Sequence, residues 1–135
     1  MVTILKMKLI RLMSLLAMLC AIFGCKAQDE SFRSLSVEEY EVAIADTAVV
    51  RLDVRTAEEF AGGHIANTQN IDVLKDDFEQ KALVTLPKDR TIAVNCRSGK
   101  RSKNAAQILV KNGYTVIELD SGYNGWTAAG KPVVK

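Results

Sequence analysis

The sequence predicts an α/β domain built on a parallel sheet, and three observations lead there. Short β-rich runs alternate along the chain with stretches of helical character, the order that puts crossover helices between parallel strands. The β-rich run Ala48–Val54 closes in a charged turn, as a buried strand does at its carboxyl end. With 135 residues, 48% of them hydrophobic, there is room for one domain whose core needs no disulfides.

Each element has its own local signal. Ser36-Val37-Glu38-Glu39 has the capping-box spacing and opens a helix towards Ile44. After the Ala48–Val54 strand, Thr56-Ala57-Glu58-Glu59-Phe60 repeats the box on a shorter helix that Gly62-Gly63 stops. Asn70–Val73 reads as a weak strand, and Asp76–Leu86 as a helix closed by Pro87. Thr91–Asn95 is the clearest strand and runs straight into Cys96. Ala105, Ile108, Leu109 and Asn112 then mark one face of a helix, with Gly113 as its stop. Tyr114–Leu119 is a further strand, and helical turns from Tyr123 to Ala128 finish the domain.

The amino-terminal residues read as a targeting segment. Lys6, Lys8 and Arg11 precede an uncharged apolar run from Leu12 to Phe23. That run is shorter than the ~20 residues a spanning helix needs and has the flanks of a signal peptide. Met7 is an alternative start, because Met7-Lys8-Leu9 already begins such a signal. Ile22-Phe23-Gly24-Cys25 resembles the lipobox of bacterial lipoproteins, which implies cleavage behind Gly24 and lipidation of Cys25. Cleavage behind Ala27, giving a soluble periplasmic product, is the alternative. The expected organisation is a signal peptide over residues 1–24, a polar tether over 25–34 and the domain over 35–135. Expected localisation is the cell envelope, lipid-anchored and facing the periplasm.

Charge excludes one class of function. Beyond residue 25 the chain holds fifteen basic and sixteen acidic residues, so nothing there reads as a nucleic-acid surface. The cysteines narrow the chemistry further. Cys20 lies in the apolar run and Cys25 at the cleavage site, which leaves Cys96 as the only thiol of the mature protein.

Cys96-Arg97-Ser98-Gly99-Lys100-Arg101 falls between a strand and a helix, where sites form in parallel sheets. Amides at a helix start turn their N–H groups into a shared concavity, and the helix dipole adds positive charge. A thiolate at that point is stabilised as a nucleophile. Arg97, Lys100 and Arg101 surround it with cations, and Gly99 allows a backbone conformation that other residues resist. Cys96 therefore reads as a nucleophile suited to anionic substrates. His64, the only histidine, reads as a turn residue bonded to backbone; with no second ligand beside it, no metal site is expected. Trp126 reads as packing, and Glu38, Glu39, Glu58 and Glu59 as residues of helix starts.

Four segments in order resemble the rhodanese family. They are Leu52-Asp53-Val54-Arg55 with Glu58-Glu59-Phe60 and Gly63-His64-Ile65; Asn70-Ile71; Cys96 to Ser102; and Ser121-Gly122-Tyr123-Asn124-Gly125-Trp126 with Gly130-Lys131-Pro132-Val133. Ala66-Asn67 and Ser121 depart mildly from the family pattern. The resemblance implies a rhodanese-like fold, a five-stranded parallel sheet with helices on both faces. It also implies a sulfurtransferase in which Cys96 takes the outer sulfur of a small anionic donor such as thiosulfate. The resulting persulfide passes to a thiol or cyanide-like acceptor, small molecule or protein. Arg97 and Arg101 are the expected sulfonate anchors, since guanidinium donors bind two oxygens at once. Ser98, Gly99 and Lys100 complete the substrate loop, and Asp53 and Arg55 shape the site from below. Neither cofactor nor nucleic-acid partner is expected, and the unit is read as a monomer.

A cysteine phosphatase is the nearest enzymatic rival, but its loop carries five residues between Cys and Arg. Here Arg101 follows Cys96 after four, and position 102 is Ser. Arsenate reduction on the same fold has no separate signal. A non-catalytic or partner-specific sulfur-carrier module is the alternative from a different class.

Overall fold

The computed structural model describes residues 31–135. The expected signal peptide, Cys25 and most of the expected tether lie outside the described residues. Five strands form one sheet: β1 (Arg33–Leu35), β2 (Val50–Asp53), β3 (Thr68–Asn70), β4 (Ile92–Asn95) and β5 (Val116–Leu119). Their order is β1-β5-β4-β2-β3, and every neighbouring pair is parallel. Five helices connect or follow them: α1 (Val37–Ile44), α2 (Ala57–Ala61), α3 (Phe78–Thr85), α4 (Lys100–Lys111) and α5 (Gly122–Ala128). The expected α/β class and parallel sheet are thus observed.

Both faces of the sheet are covered. Side chains alternate across a strand with period two, so Val50, Leu52 and Val54 point with Ile92, Val94 and Val116 into one layer. There they meet Phe78 and Ala82 of α3 and Ala105, Ala106 and Leu109 of α4. The intervening residues Ala93, Ile117 and Leu119 enter the other layer, against Val37, Tyr40 and Ile44 of α1 and Trp126 of α5. Trp126 meets Tyr40 edge-on, with centroids 6.2 Å apart, and donates its indole N–H to Pro132 O. Removing a side chain from such a core is costly: Leu109, 1% exposed, would lose about 2–5 kcal/mol on truncation to Ala.

Local chemistry sets the helix ends. Ser36 and Thr56 both close full capping boxes, with Glu39 and Glu59 respectively. At its other end α4 runs into Asn112 and then Gly113, which takes φ +89°.

Two elements differ from expectation. The strand read at Asn70–Val73 lies earlier, at Thr68–Asn70, in register with Arg51–Asp53. It is an edge strand held by main-chain bonds, and the Asn70 side chain already turns away to bond Asp53 O and Arg55 O. The second is β1, which begins inside the stretch read as a polar tether. Arg33 pairs with Ile117 and Leu35 with Leu119, and only Leu35 is buried. An edge ladder bonds through the backbone, so polar side chains are no obstacle to it.

Candidate active site

Cys96 follows β4, the central strand, and the chain turns through Ser98 and Gly99 into α4. Gly99 has φ +100° and is packed so closely that a Cβ would stand 2.0 Å from Asp120 O. That conformation directs the Gly99 N–H at Cys96 Sγ, 3.1 Å away. The start of α5 pins the loop from the other side: Tyr123 N–H bonds Cys96 O at 2.7 Å, and Asn124 N–H bonds Arg97 O at 3.0 Å. The sulfur therefore sits at the head of a twelve-residue helix, where amide and dipole favour an anion.

Beneath the sulfur lies a polar chain that reading the sequence did not single out. Cys96 S–H donates to Ser102 Oγ at 3.4 Å, and Ser102 Oγ lies 2.7 Å from Glu118 Oε2. Glu118 is fully buried in β5. Its other oxygen receives Ser34 Oγ–H and, at 2.9 Å, Lys103 Nζ. Lys103 also reaches Asp120 at 2.7 Å. One signal for Glu118 was present in the sequence: it is the sole acid inside the apolar run Tyr114–Leu119.

The loop cations have different surroundings. Arg97 and Lys100 are exposed, and none of the ion pairs among the described residues includes either. Arg101 is half-buried and forks onto both oxygens of Glu59, at 2.8 and 3.0 Å. Hydrogen bonding to Arg101 holds the Glu59 carboxyl down at about 2, and the same bond raises Arg101. Glu59 thus serves α2 as a capping residue and the loop as an ion-pair partner, the second role arising from a contact across 42 residues.

Asp53 and Arg55 form a buried pair. Asp53 accepts the Arg55 backbone N–H at 2.9 Å and its guanidinium at 2.8–3.1 Å. Arg55 donates onward to Gly63 O at 2.7 Å and lies 4.1 Å over the Tyr123 ring. Tyr123 in turn bonds the Cys96 carbonyl, so the pair supports the loop through α5. His64 stacks on Phe60 at 3.7 Å, and its Nδ1 lies 2.9 Å from Phe60 O. Its backbone exchanges both main-chain bonds with Val134.

A cleft of about 320 Å³ opens beside the loop, lined by Arg55, Glu58, Glu59, Gly63, Arg97 and Tyr123 among others. A hollow of like volume lies between Asp46, Thr47, Val50 and Arg90, at the amino end of β2. That end is opposite to the carboxyl ends of the strands, where ligand sites of parallel sheets form and where Cys96 stands. Of the residues expected in the site, Cys96, Arg97, Ser98, Gly99, Lys100 and Arg101 share this loop and helix start, with Asp53 and Arg55 behind it. No cluster of metal-ligating side chains occurs among the described residues.

Comparison with known proteins agrees with this geometry. A sulfurtransferase of Allochromatium vinosum is 33% identical over 99 residues, covering 72% of this chain and 90% of that protein. The mitochondrial protein HIGH ARSENIC CONTENT 1 of Arabidopsis thaliana is 35% identical over 89 residues, covering 58% of this chain and 53% of that one. Among solved structures, a rhodanese-related protein from Thermoplasma volcanium superposes with a TM-score of 0.69 at 32% identity, covering 76% of this chain and 98% of that one. The family described as Rhodanese-like domain matches residues 36–129. A cysteine at the head of α4 on a five-stranded parallel sheet, and a family match over more than two thirds of the sequence, place the chain in the rhodanese-like domain family.

Proposed function

We propose that this protein is a sulfurtransferase that carries a sulfane sulfur as a persulfide on Cys96. The observation that supports it most is the position of Cys96 Sγ, 3.1 Å from the Gly99 amide at the start of α4. Its sulfurtransferase relatives give the reaction class. In the first half-reaction the Cys96 thiolate attacks the outer sulfur of thiosulfate. An S–S bond forms to Cys96, the sulfur–sulfonate bond breaks, and the electron pair leaves with sulfite. In the second, an acceptor thiolate or cyanide attacks the terminal sulfur and Cys96 departs as thiolate. Covalent catalysis splits one hard transfer into two easier ones, and loop amides stabilise the anionic outer sulfur. Arg97, exposed on the cleft, is the first contact for the sulfonate. Arg101 serves mainly to hold the loop against Glu59 and reaches the donor only by giving up part of that bond.

Export is part of the same proposal. The basic start, the apolar run and Gly24-Cys25 support a signal peptide and lipid attachment at Cys25, with the monomeric domain facing the periplasm. Lipid chains at one cysteine satisfy the two-signal requirement for stable attachment. No helix of the described residues is long and apolar enough to cross a membrane. The chemistry is tested by intact mass after thiosulfate treatment: one added sulfur on the wild-type protein and none on Cys96→Ser, which keeps its fold. Sulfur transfer by the Ser variant would overturn the mechanism.

A further inference from the structure

We propose that Glu118 is a positioning residue for Cys96, acting through Ser102 to oppose ionisation of the unloaded cysteine. The inference rests on Cys96 being the reacting group, and the geometry carries it from there. Ser102 Oγ stands 3.4 Å from Cys96 Sγ, 2.7 Å from Glu118 Oε2 and 3.0 Å from Gly99 O. A hydroxyl has a single proton to donate. The bond to the carboxylate is the shortest of the three and charge-assisted, so the proton goes there. What Ser102 turns towards the sulfur is a lone pair.

That arrangement suits a thiol and opposes a thiolate. The S–H finds an acceptor in Ser102, whereas a thiolate would face a lone pair with a fully buried carboxylate behind it. Ser102 could donate to the sulfur only by abandoning Glu118. Other groups act on the same balance. The Gly99 N–H, the head of α4 and Arg101 favour the anion, with Arg97 and Lys100 further out. Lys103 from α4 bonds Glu118 at 2.9 Å and offsets part of its charge. Ser34 from β1 donates to the same Glu118 oxygen; Asp120, beyond the end of β5, shares Lys103, and Tyr40 of α1 lies within reach of the Glu118 field.

The consequence is selective. In a persulfide the charge sits on the outer sulfur, one bond further from Glu118 and towards the loop opening. The unfavourable field therefore bears on the empty thiolate more than on the loaded form. Glu118 restrains the empty cysteine from unplanned reactions while leaving the sulfur-loaded state favourable.

The test uses the full chain and the rate of iodoacetamide alkylation at Cys96, located by peptide mass and measured across the range in which a thiol titrates. Glu118→Gln keeps the shape and removes the charge, and its alkylation midpoint should fall by about one pH unit. Lys103→Gln, at a position 40% exposed in its side chain, leaves Glu118 without its cation and should raise the midpoint. In the double variant most of the Lys103 effect should vanish, because it acts through Glu118. Mere loosening of the core would move both single variants in the same direction. A midpoint in Glu118→Gln at or above wild type overturns the proposal, as does an unchanged midpoint in Lys103→Gln; the latter stands alone should Glu118→Gln fail to fold. Alkylation reads the thiol and not sulfur transfer, so failure of the thiosulfate chemistry would leave this result distinguishable.

Discussion

Gly99→Ala should damage both stability and catalysis, through two separable costs. The first is conformational: φ is +100°, and an L-residue held at positive φ costs about 1–2 kcal/mol. The second is steric. The new methyl would lie 2.0 Å from the backbone oxygen of Asp120, about 1 Å inside any contact a real Cβ makes. No rotamer change can relieve it, because the neighbour is main chain at the end of β5. Forcing extra volume into a packed site costs about 1–3 kcal/mol, which brings the expected loss to about 2–5 kcal/mol. For a domain of this size that is a melting point lower by roughly 10 °C or more. Relief of the clash moves the Gly99 N–H away from Cys96 Sγ, now 3.1 Å distant, and misplacement of that order costs about 10²-fold in rate. Gly113→Ala is the matched control, with φ +89° but nothing within 4 Å of its Cβ. It should show the conformational cost alone and full turnover. Thermal melts and thiosulfate turnover of the two variants separate the terms. Wild-type melting and turnover in Gly99→Ala would refute the reasoning, and equal damage in both variants would refute the steric part.

Further outcomes follow from the same geometry. The Glu59 carboxyl is held at about 2 by Arg101, below its ordinary 4.5, so the stability this gives is complete above about pH 4.5 and is lost as pH falls towards 2. Melting of Glu59→Gln should therefore lie below wild type at neutral pH and converge with it in acid; a gap that persists below pH 2 would assign the loss to packing. Arg97→Ala should raise the KM for thiosulfate about tenfold with little change in melting, the worth of one charge-assisted contact. Arg101→Ala should lower melting as well, because Glu59 loses its partner. Steady-state kinetics and melts of both variants distinguish the roles, and an unchanged KM in Arg97→Ala would move the anion site elsewhere. For location, the wild-type protein should fractionate with membranes and partition into detergent, whereas a soluble product beginning at Gln28 would identify cleavage behind Ala27.

What the sequence by itself determined is what neighbours along the chain decide. Ser36 and Thr56 cap helices because Glu39 and Glu59 stand three residues on, and both boxes form as written. Thr91–Asn95 leads into Cys96, and the helix after it begins at Lys100, so the placement of the loop was legible from local pattern alone. The α/β class followed from the alternation of such elements. Tertiary structure decided everything that register brings together. Strand β1 could not be read from Arg33 and Ser34, because it exists only through its ladder with β5. Glu59 looked like a capping residue alone until α2 met α4 and Arg101 forked onto it. Glu118 was passed over as one residue of a strand, and nothing local said what satisfies an acid in that apolar run. Val94 lies opposite Glu118 in the β4–β5 register, which brings the carboxylate under the first turn of α4 and within 2.7 Å of Ser102. A buried charge is tolerable only where partners converge on it. Those partners come from β1 and α4, and only folding sets them around one carboxylate.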